Sequence, residues 1–329
     1  MRDDRLRLAV TRLATDQAGV ISRAQALDLG MTRGMIRALL DSGRWQRVHP
    51  GTYVIFTGPL PVMTRVWAAI RYAGRGAMVV GATALWLAGA VDEPPPSIQI
   101  GVPHGRSVVP VAGVVIVAGR CLGTRPRPAA RPPRTAVEDA LLTEVGMRTS
   151  VDAVVGLVLQ VLQRRVTTPQ RLRAALGERR RQRWRSLILD LTDEAADGVH
   201  SRLEYCYRRD VERRHGLPRG ERNVAEAIPA RAGSSGSTHR YRDVRYRAQR
   251  LVVELDGALT HPAEDAWLDR RRDNDLVITG ERTLRYGWRE VGGQPCRVAD
   301  QVGTALQVGG WTGRPQRCSA PCRLPDPPD

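Results

Sequence analysis

The pattern of hydrophobic and polar positions near the start of the chain predicts three short helices. Apolar residues recur at helical spacing over residues 3–15. Ser22 and Gln25 have the spacing of a capping box, which predicts a second helix that Gly30 ends. Thr32 then caps a third helix. Two short strands follow this third helix.

The third helix and the strands after it have the layout of a DNA-binding domain. The apolar residues of the helix share one face, and Arg33 and Arg37 lie off that face. Residues 45–48 and 52–55 alternate like strands around a His-Pro-Gly turn. The order predicts a winged helix-turn-helix over residues 1–60, in which the third helix enters the major groove and the hairpin meets the phosphates.

Four arginines of this region are the candidate DNA contacts: Arg33, Arg37, Arg44 and Arg47. The alternative is a three-helix packing module whose arginines are only solvated, because the same shape also serves protein contacts. Residues 19–55, followed by an apolar helix around residues 77–90, resemble the N-terminal domain of the AbiEi family, the antitoxins of abortive-infection systems. That resemblance implies a DNA-binding, autoregulatory module.

The middle block, residues 61–195, mixes predicted helices and strands without a catalytic constellation. We interpret it as an α/β scaffold. Its last predicted helix, capped at residues 167–170, runs into an arginine-rich stretch at residues 179–185. Two interpretations of that stretch stay open: it follows a phosphate backbone, or it is a solvated helix end whose cations suit the carboxyl terminus.

Acidic residues concentrate in the third block, residues 196–310, which holds 17 of the chain's 34. Residues 251–255 are almost all apolar, so this strand is predicted to be buried on both faces. Glu254 and Asp256 lie two apart and therefore point to the same face. If residues 247–250 form a hairpin loop, Asp243 lies opposite Glu254, where like charges destabilise a sheet.

Three converging carboxylates in a basic protein are typical of a divalent-cation site. Mg²⁺, or Mn²⁺ in its place, takes a few carboxylates and leaves positions for a substrate phosphate. The candidate metal ligands are Asp243, Glu254 and Asp256. The alternative is a structural network in which arginines pair with each acid.

Residues 199–309 resemble the DUF559 family, which is related to very-short-patch-repair endonucleases of the PD-(D/E)XK superfamily. The matching pieces are SRLE with Glu204, the Asp243 strand, VVELDG, His261, DRRRDND and LRYGWREV. The resemblance implies a restriction-endonuclease-like α/β core in which Asp243 and Glu254 bind the metal. Asp256 stands where the superfamily usually has lysine, which leaves the usual charge stabiliser absent.

Because Asp256 replaces the usual lysine, other residues must take over part of the catalytic role. Asp256 is then another candidate metal ligand, and His261 is a candidate general acid or base. His261 or an arginine from residues 270–272 would stabilise the developing charge. The alternative for His261 is a surface or supporting position. The candidate catalytic set is Glu204, Asp243, Glu254, Asp256 and His261.

The composition of the chain indicates which class of binding partner to expect. The net charge is +17, and every one of the 51 basic residues is arginine, so no lysine nucleophile or phosphate clamp exists. This charge favours nucleic acid over a membrane surface. We expect a cytoplasmic protein, because the start lacks the apolar core of a signal peptide and no segment is long and apolar enough for a membrane helix. Cys318 and Cys322 have the spacing of half a metal site, but no second ligand pair is suitably spaced, so residues 311–329 are predicted to be a flexible tail.

These observations predict an α/β multidomain protein that hydrolyses DNA phosphodiester bonds with Mg²⁺, in defence or repair. The alternative is an AbiEi-like DNA-binding regulator or antitoxin with an inactive nuclease domain, and a third hypothesis is an RNA-directed nuclease. DNA is the expected partner, with a cognate toxin or self-association as further candidates.

Overall fold

The chain is a mixed α/β protein that folds as two units. The computed structural model describes residues 2–118, 126–127, 130–197, 199, 201–227, 239–256 and 281–324. Unit 1 is Met1–Leu189 and unit 2 is Asp190–Asp329. The division lies close to the sequence-based boundary at residue 195.

Unit 1 begins with three helices and three short strands. They are α1 (Arg2–Thr15), β1 (Val20–Ser22), α2 (Arg23–Asp28), α3 (Arg33–Asp41), β2 (Gln46–His49) and β3 (Thr52–Val54). The strands form an antiparallel sheet in the order β1-β3-β2. The predicted helices and hairpin are confirmed as elements. Strand β1 was not predicted, because three residues are too few for a period to show.

A small apolar core holds these elements together. Val10 and Ala14 of α1 pack with Ile36 of α3 and with the hairpin residues Trp45 and Tyr53. The capping box at α2 is present: Ser22 Oγ accepts from the backbone N–H of Gln25 at 3.2 Å, and Gln25 Oε1 accepts from that of Ser22 at 3.0 Å. The local signals in the sequence therefore correspond to real contacts.

The rest of unit 1 contains a second sheet and a group of helices. The elements are α4 (Val62–Ala73), β4 (Met78–Val79), α5 (Gly81–Leu87), β5 (Ile98–Val102), β6 (Val114–Ala118), β7 (Pro126–Arg127), β8 (Arg134–Thr135), α6 (Val137–Met147), α7 (Val151–Gln163) and α8 (Pro169–Gly177). The sheet order is β6-β5-β4-β8-β7. Helix α4 packs against strands of both sheets. No helix in the described part of the chain is long and apolar enough to cross a membrane.

The arginine-rich stretch at residues 179–185 is not a helix face. Helix α8 ends at Gly177, before the stretch begins. Arg179 is buried, and its Nη2 lies 3.2 Å from Asp139 Oδ1 and donates to the Asp139 carbonyl at 3.0 Å. Both interpretations offered for this stretch are therefore wrong for Arg179, which anchors α6 to the segment after α8.

Unit 2 is built on a four-stranded sheet. Helix α9 (Arg185–Ala196) spans the boundary and is followed by α10 (Arg202–Cys206), a π-helix (Tyr207–Arg213), β9 (Glu221–Ala227), β10 (His239–Tyr246), β11 (Leu251–Asp256), β12 (Arg282–Gly287), α11 (Trp288–Gly293) and α12 (Pro295–Val308). The strand order is β12-β11-β10-β9. Strands β10 and β11 form an antiparallel hairpin in which Tyr246 pairs with Leu251, as predicted, and β12 pairs with β11 in parallel.

The sequence predicts a flexible tail over residues 311–329, but residues 311–324 pack onto the rest of unit 2. The backbone N–H of Gln316 donates to the His215 carbonyl at 2.8 Å. Pro315 packs so closely on Gly303 of α12 that a Cβ there would lie 2.1 Å from Pro315 Cγ. Cys322 is buried. The close packing at Gly303 depends on tertiary structure and has no local sequence signal.

Candidate functional site

Helix α3 divides its residues between a buried face and an arginine-bearing face. Thr32 Oγ1 accepts from the backbone N–H of Met35 at 3.2 Å and so fixes the start of the helix. Ile36 is buried in the core, whereas Arg33 and Arg37 are exposed. Because residues four apart lie one turn apart, both guanidinium groups project from the same side. That side faces away from the core of this region.

The hairpin extends the basic surface of α3. Arg44 and Arg47 are exposed, while Trp45 between them is buried with its ring 6.1 Å from that of Tyr53. The aromatic pair anchors the hairpin and leaves the arginines outward. All four arginines singled out in the sequence are therefore exposed on consecutive elements.

Ion pairing does not remove this positive charge. The 3.6 Å pair between Arg37 and Asp41 has both side chains more than 70% exposed, at 84% and 71%. An ion pair so exposed contributes little and is easily exchanged for a phosphate. Arg23, which sequence analysis did not single out, is also exposed, and its Nε donates to the Tyr53 hydroxyl at 3.1 Å. Its backbone N–H bonds the Gly51 carbonyl in the hairpin turn.

The carboxylates of unit 2 meet around the β10–β11 hairpin. Asp243 is half-buried, and its Oδ2 accepts from the backbone N–H of Leu255 at 2.7 Å. Burial, together with the charges of Glu254, Glu204 and Asp256, raises the pKa of Asp243 to about 6, although the hydrogen bond from Leu255 acts in the opposite direction. Glu204, Glu254 and Asp256 are thus close enough to Asp243 to act on it electrostatically.

Glu204 reaches this region from a helix. Ser201 Oγ caps α10 by accepting from the backbone N–H of Glu204 at 3.1 Å, and α10 packs against β11. Glu204 is buried, whereas Asp256 at the end of β11 is exposed. His261 and the arginines at residues 270–272 lie outside the described residues.

Neighbouring acids in unit 2 behave differently from Asp243. Glu194 pairs with Arg208 and with Arg213, and Glu212 pairs with Arg222. The side chains that act most strongly on Asp243 are carboxylates instead. The arginine-network alternative therefore describes Glu194 and Glu212 better than it describes Asp243. Among the described residues, however, these carboxylate oxygens do not converge into a compact set of metal ligands.

A basic cleft lies at the β12 edge of the same sheet. It has a volume of about 420 Å³ and is lined by Arg285, Tyr286, Arg289, Glu290, Gln294, Arg297, Val298 and Gln301. Arg285 is the parallel-register partner of Glu254, so both side chains leave the sheet on the same face. Three arginines in one cleft suit an anionic ligand. The pairing of β12 with β11 was not predictable from spacing, so the cleft was missed.

Comparison with known proteins supports the N-terminal part of this picture. A family model described as a transcriptional regulator, AbiEi antitoxin, matches residues 9–55. This segment contains the second half of α1, all of β1, α2 and α3, and the hairpin. A comparison with curated proteins found no match. The matched segment ends within unit 1, so the nuclease-family resemblance of residues 199–309 stays a prediction.

Proposed function

We propose that this protein is a DNA-binding transcriptional regulator of the AbiEi antitoxin type, which binds through a winged helix-turn-helix at its N-terminus. The observation that carries the proposal is the exposed arginine face of α3 within the segment that the family model matches. A cognate toxin is the further partner that this family implies.

The geometry suits a standard docking mode for this class. Helix α3 would lie in the major groove with Arg33 and Arg37 toward the bases and adjoining phosphates. Arg44 and Arg47 would contact the phosphate backbone from the hairpin. Gly34 is exposed beside the two helical arginines, and no bulky side chain there holds the backbone away from DNA.

The salt dependence of DNA binding tests this proposal. Each neutralised phosphate contributes roughly 0.9 to the slope of log Kobs against log salt concentration. Arg33→Ala together with Arg37→Ala should therefore lower the slope by about 2 and weaken binding, with unit 1 still folded. Binding is measured by fluorescence anisotropy on duplex DNA over a salt series.

The matched control is Arg180→Ala together with Arg181→Ala, which removes two exposed arginines from the segment after α8. This control should leave the slope unchanged. If the control lowers the slope and the α3 variant does not, DNA contact lies outside α3 and the proposed docking mode is wrong.

A second candidate function, metal-dependent hydrolysis of DNA, is supported by the surroundings of Asp243. Glu254, Glu204 and Asp256 raise the pKa of Asp243, and a divalent cation would offset this repulsion. Carboxylate oxygens are the donors that Mg²⁺ or Mn²⁺ prefers. Asp243, Glu254 and Asp256 would hold the ion after their carboxylate oxygens, which do not form a compact set in this structure, had moved together around it. When bound, it would supply an activated water and offset charge on the phosphate. The arginines of the β12 cleft would hold the DNA backbone next to these carboxylates.

Glu254→Gln tests this second function, because it keeps the shape of the side chain and removes one charge. Metal-dependent nicking of plasmid DNA should fall at least ~100-fold, since a catalytic metal contributes several kcal/mol. Thermal stability in a chelator should rise, because one of several repelling carboxylates is neutralised. DNA affinity without metal should stay unchanged.

Glu221→Gln serves as the control, because Glu221 is an exposed glutamate on β9 that pairs with Arg247. It should alter neither cleavage nor metal-free stability appreciably. Wild-type protein that fails to cleave DNA with any divalent metal, together with a Glu254→Gln variant that melts lower, would leave only the regulator function.

A further inference from the structure

Three cysteines and one histidine from distant parts of unit 2 meet at one point. The Sγ atoms of Cys296, Cys318 and Cys322 and a ring nitrogen of His215 all lie within 4.8 Å of one another. His215 follows the π-helix, Cys296 lies in the first turn of α12, and the other two cysteines lie in the segment that packs onto unit 2. Among the described residues, this is the one set of side chains that converges closely enough to hold a metal ion.

His215 is oriented as a ligand. Its side chain is fully buried, and Nδ1 lies 3.1 Å from the Val211 carbonyl oxygen. Because a carbonyl only accepts, Nδ1 carries the proton and Nε2 carries the lone pair. Nε2 is buried and has no hydrogen-bond partner among the described residues. A backbone carbonyl bonded to one ring nitrogen commonly fixes the tautomer of metal-binding histidines.

The distance between two of the sulfur atoms matches the distance expected in tetrahedral coordination. Cys296 Sγ and Cys318 Sγ are 3.7 Å apart. Zn–S bonds of about 2.3 Å in a tetrahedron place two sulfurs about 3.8 Å apart, whereas a disulfide requires about 2.05 Å.

We propose that His215, Cys296, Cys318 and Cys322 form a structural zinc site. Three thiolates and one imidazole in a tetrahedron are a ligand set that selects Zn²⁺. Four protein ligands fill the coordination sphere, so the ion ties elements together and does not activate water. It joins the end of the π-helix, the start of α12 and residues 311–324. This site is separate from the carboxylates around Asp243.

Metal content is the first test. The full-length protein, purified under reducing conditions without chelator, should contain about one zinc per chain by inductively coupled plasma mass spectrometry. Cobalt exchanged into the wild-type protein should give the visible bands of tetrahedral Co²⁺ and a thiolate-to-metal charge-transfer band. The cobalt spectrum needs no variant, so a folding defect cannot produce a false result.

Variants locate the ion. Cys318→Ser together with Cys322→Ser should lose most of the zinc and the cobalt bands, and its melting temperature should fall toward that of chelator-treated wild type. The control is Cys206→Ser, which removes a buried thiol outside the cluster and should retain zinc.

Four results would each overturn the proposal. They are wild-type protein that takes up neither zinc nor cobalt, a double variant that retains the wild-type zinc content, iron in place of zinc in the purified protein, and a Cys296–Cys318 disulfide detected by mass spectrometry under the same reducing conditions.

Discussion

Every basic residue in this protein is arginine, and the acidic residues differ in whether an arginine pairs with them. Arginine stays charged at any physiological pH and binds carboxylates through several donors, so it suits buried pairs. Glu194 illustrates this use, because it is buried and bound by Arg208 and Arg213. Asp243 is surrounded by other acids, which sets it apart from the structural carboxylates of unit 2.

The pH dependence of stability has a contribution from His49 at the end of β2. The His49 ring lies 5.2 Å from the Tyr72 ring, and burial lowers the pKa of His49 below 6.5. The unfolded chain therefore binds this proton more readily than the folded chain. The stability that depends on neutral His49 is therefore fully present above pH 6.5, and it is lost as the pH falls below that value.

We therefore expect His49→Phe, which keeps a ring beside Tyr72, to weaken the fall in stability as the pH drops below 6.5. His104→Gln, at an exposed histidine, should follow the wild-type curve. Chemical denaturation at a series of pH values measures the difference. Parallel curves for wild type and His49→Phe would contradict the expectation.

At the scale of elements, the start of α3 serves both folding and the proposed DNA contact. Thr32 caps the helix, and its capped N–H groups lie beside Arg33. Anions are favoured at such an end, and a bound DNA phosphate would take advantage of this. Stability and DNA affinity can therefore be separated by the choice of side chain at one position.

Thr32→Ala should cost about 1 kcal/mol of unfolding free energy, because the cap is lost. Thr32→Ser should retain both stability and DNA affinity. Thr32→Asp should retain stability but weaken DNA binding, because its carboxylate repels phosphate. Denaturant unfolding and anisotropy titrations give the two quantities. Equal DNA affinity for the Ser and Asp variants would place the start of α3 away from the DNA backbone.

The elements that sequence predicts well are those with local signals. The capping box at Ser22, the cap at Thr32 and the hairpin turn before β3 each depend on a few neighbouring residues. The β10–β11 register follows from a short loop and from alternation. The parallel pairing of β12 with β11 was missed, because strand pairing over long separations leaves no local period. Helix α7 was also missed, although Ser150 caps it and its signal is therefore local.

At the scale of the whole molecule, a candidate site could be predicted only where its residues lie close together in the sequence, on one strand or one hairpin. Glu254 and Asp256 share a face because they lie two apart on a strand, and the hairpin adds Asp243. The zinc ligands proposed here follow no such rule. His215 and Cys296 are far apart in sequence, so the C-x₃-C pair at residues 318–322 offered no visible partner.

The parallel pairing of β12 with β11 constrains the order in which the sheet of unit 2 assembles. The β10–β11 hairpin closes a loop of four residues, from Tyr246 to Leu251, at small entropic cost. Strand β12 pairs with β11 only after a much longer loop has closed, since Leu251 is in register with Arg282. Non-local pairing of this kind slows folding. Until β12 docks, the apolar edge of β11 is open to strands of other chains, so crowding and high expression favour aggregation at this step over productive folding.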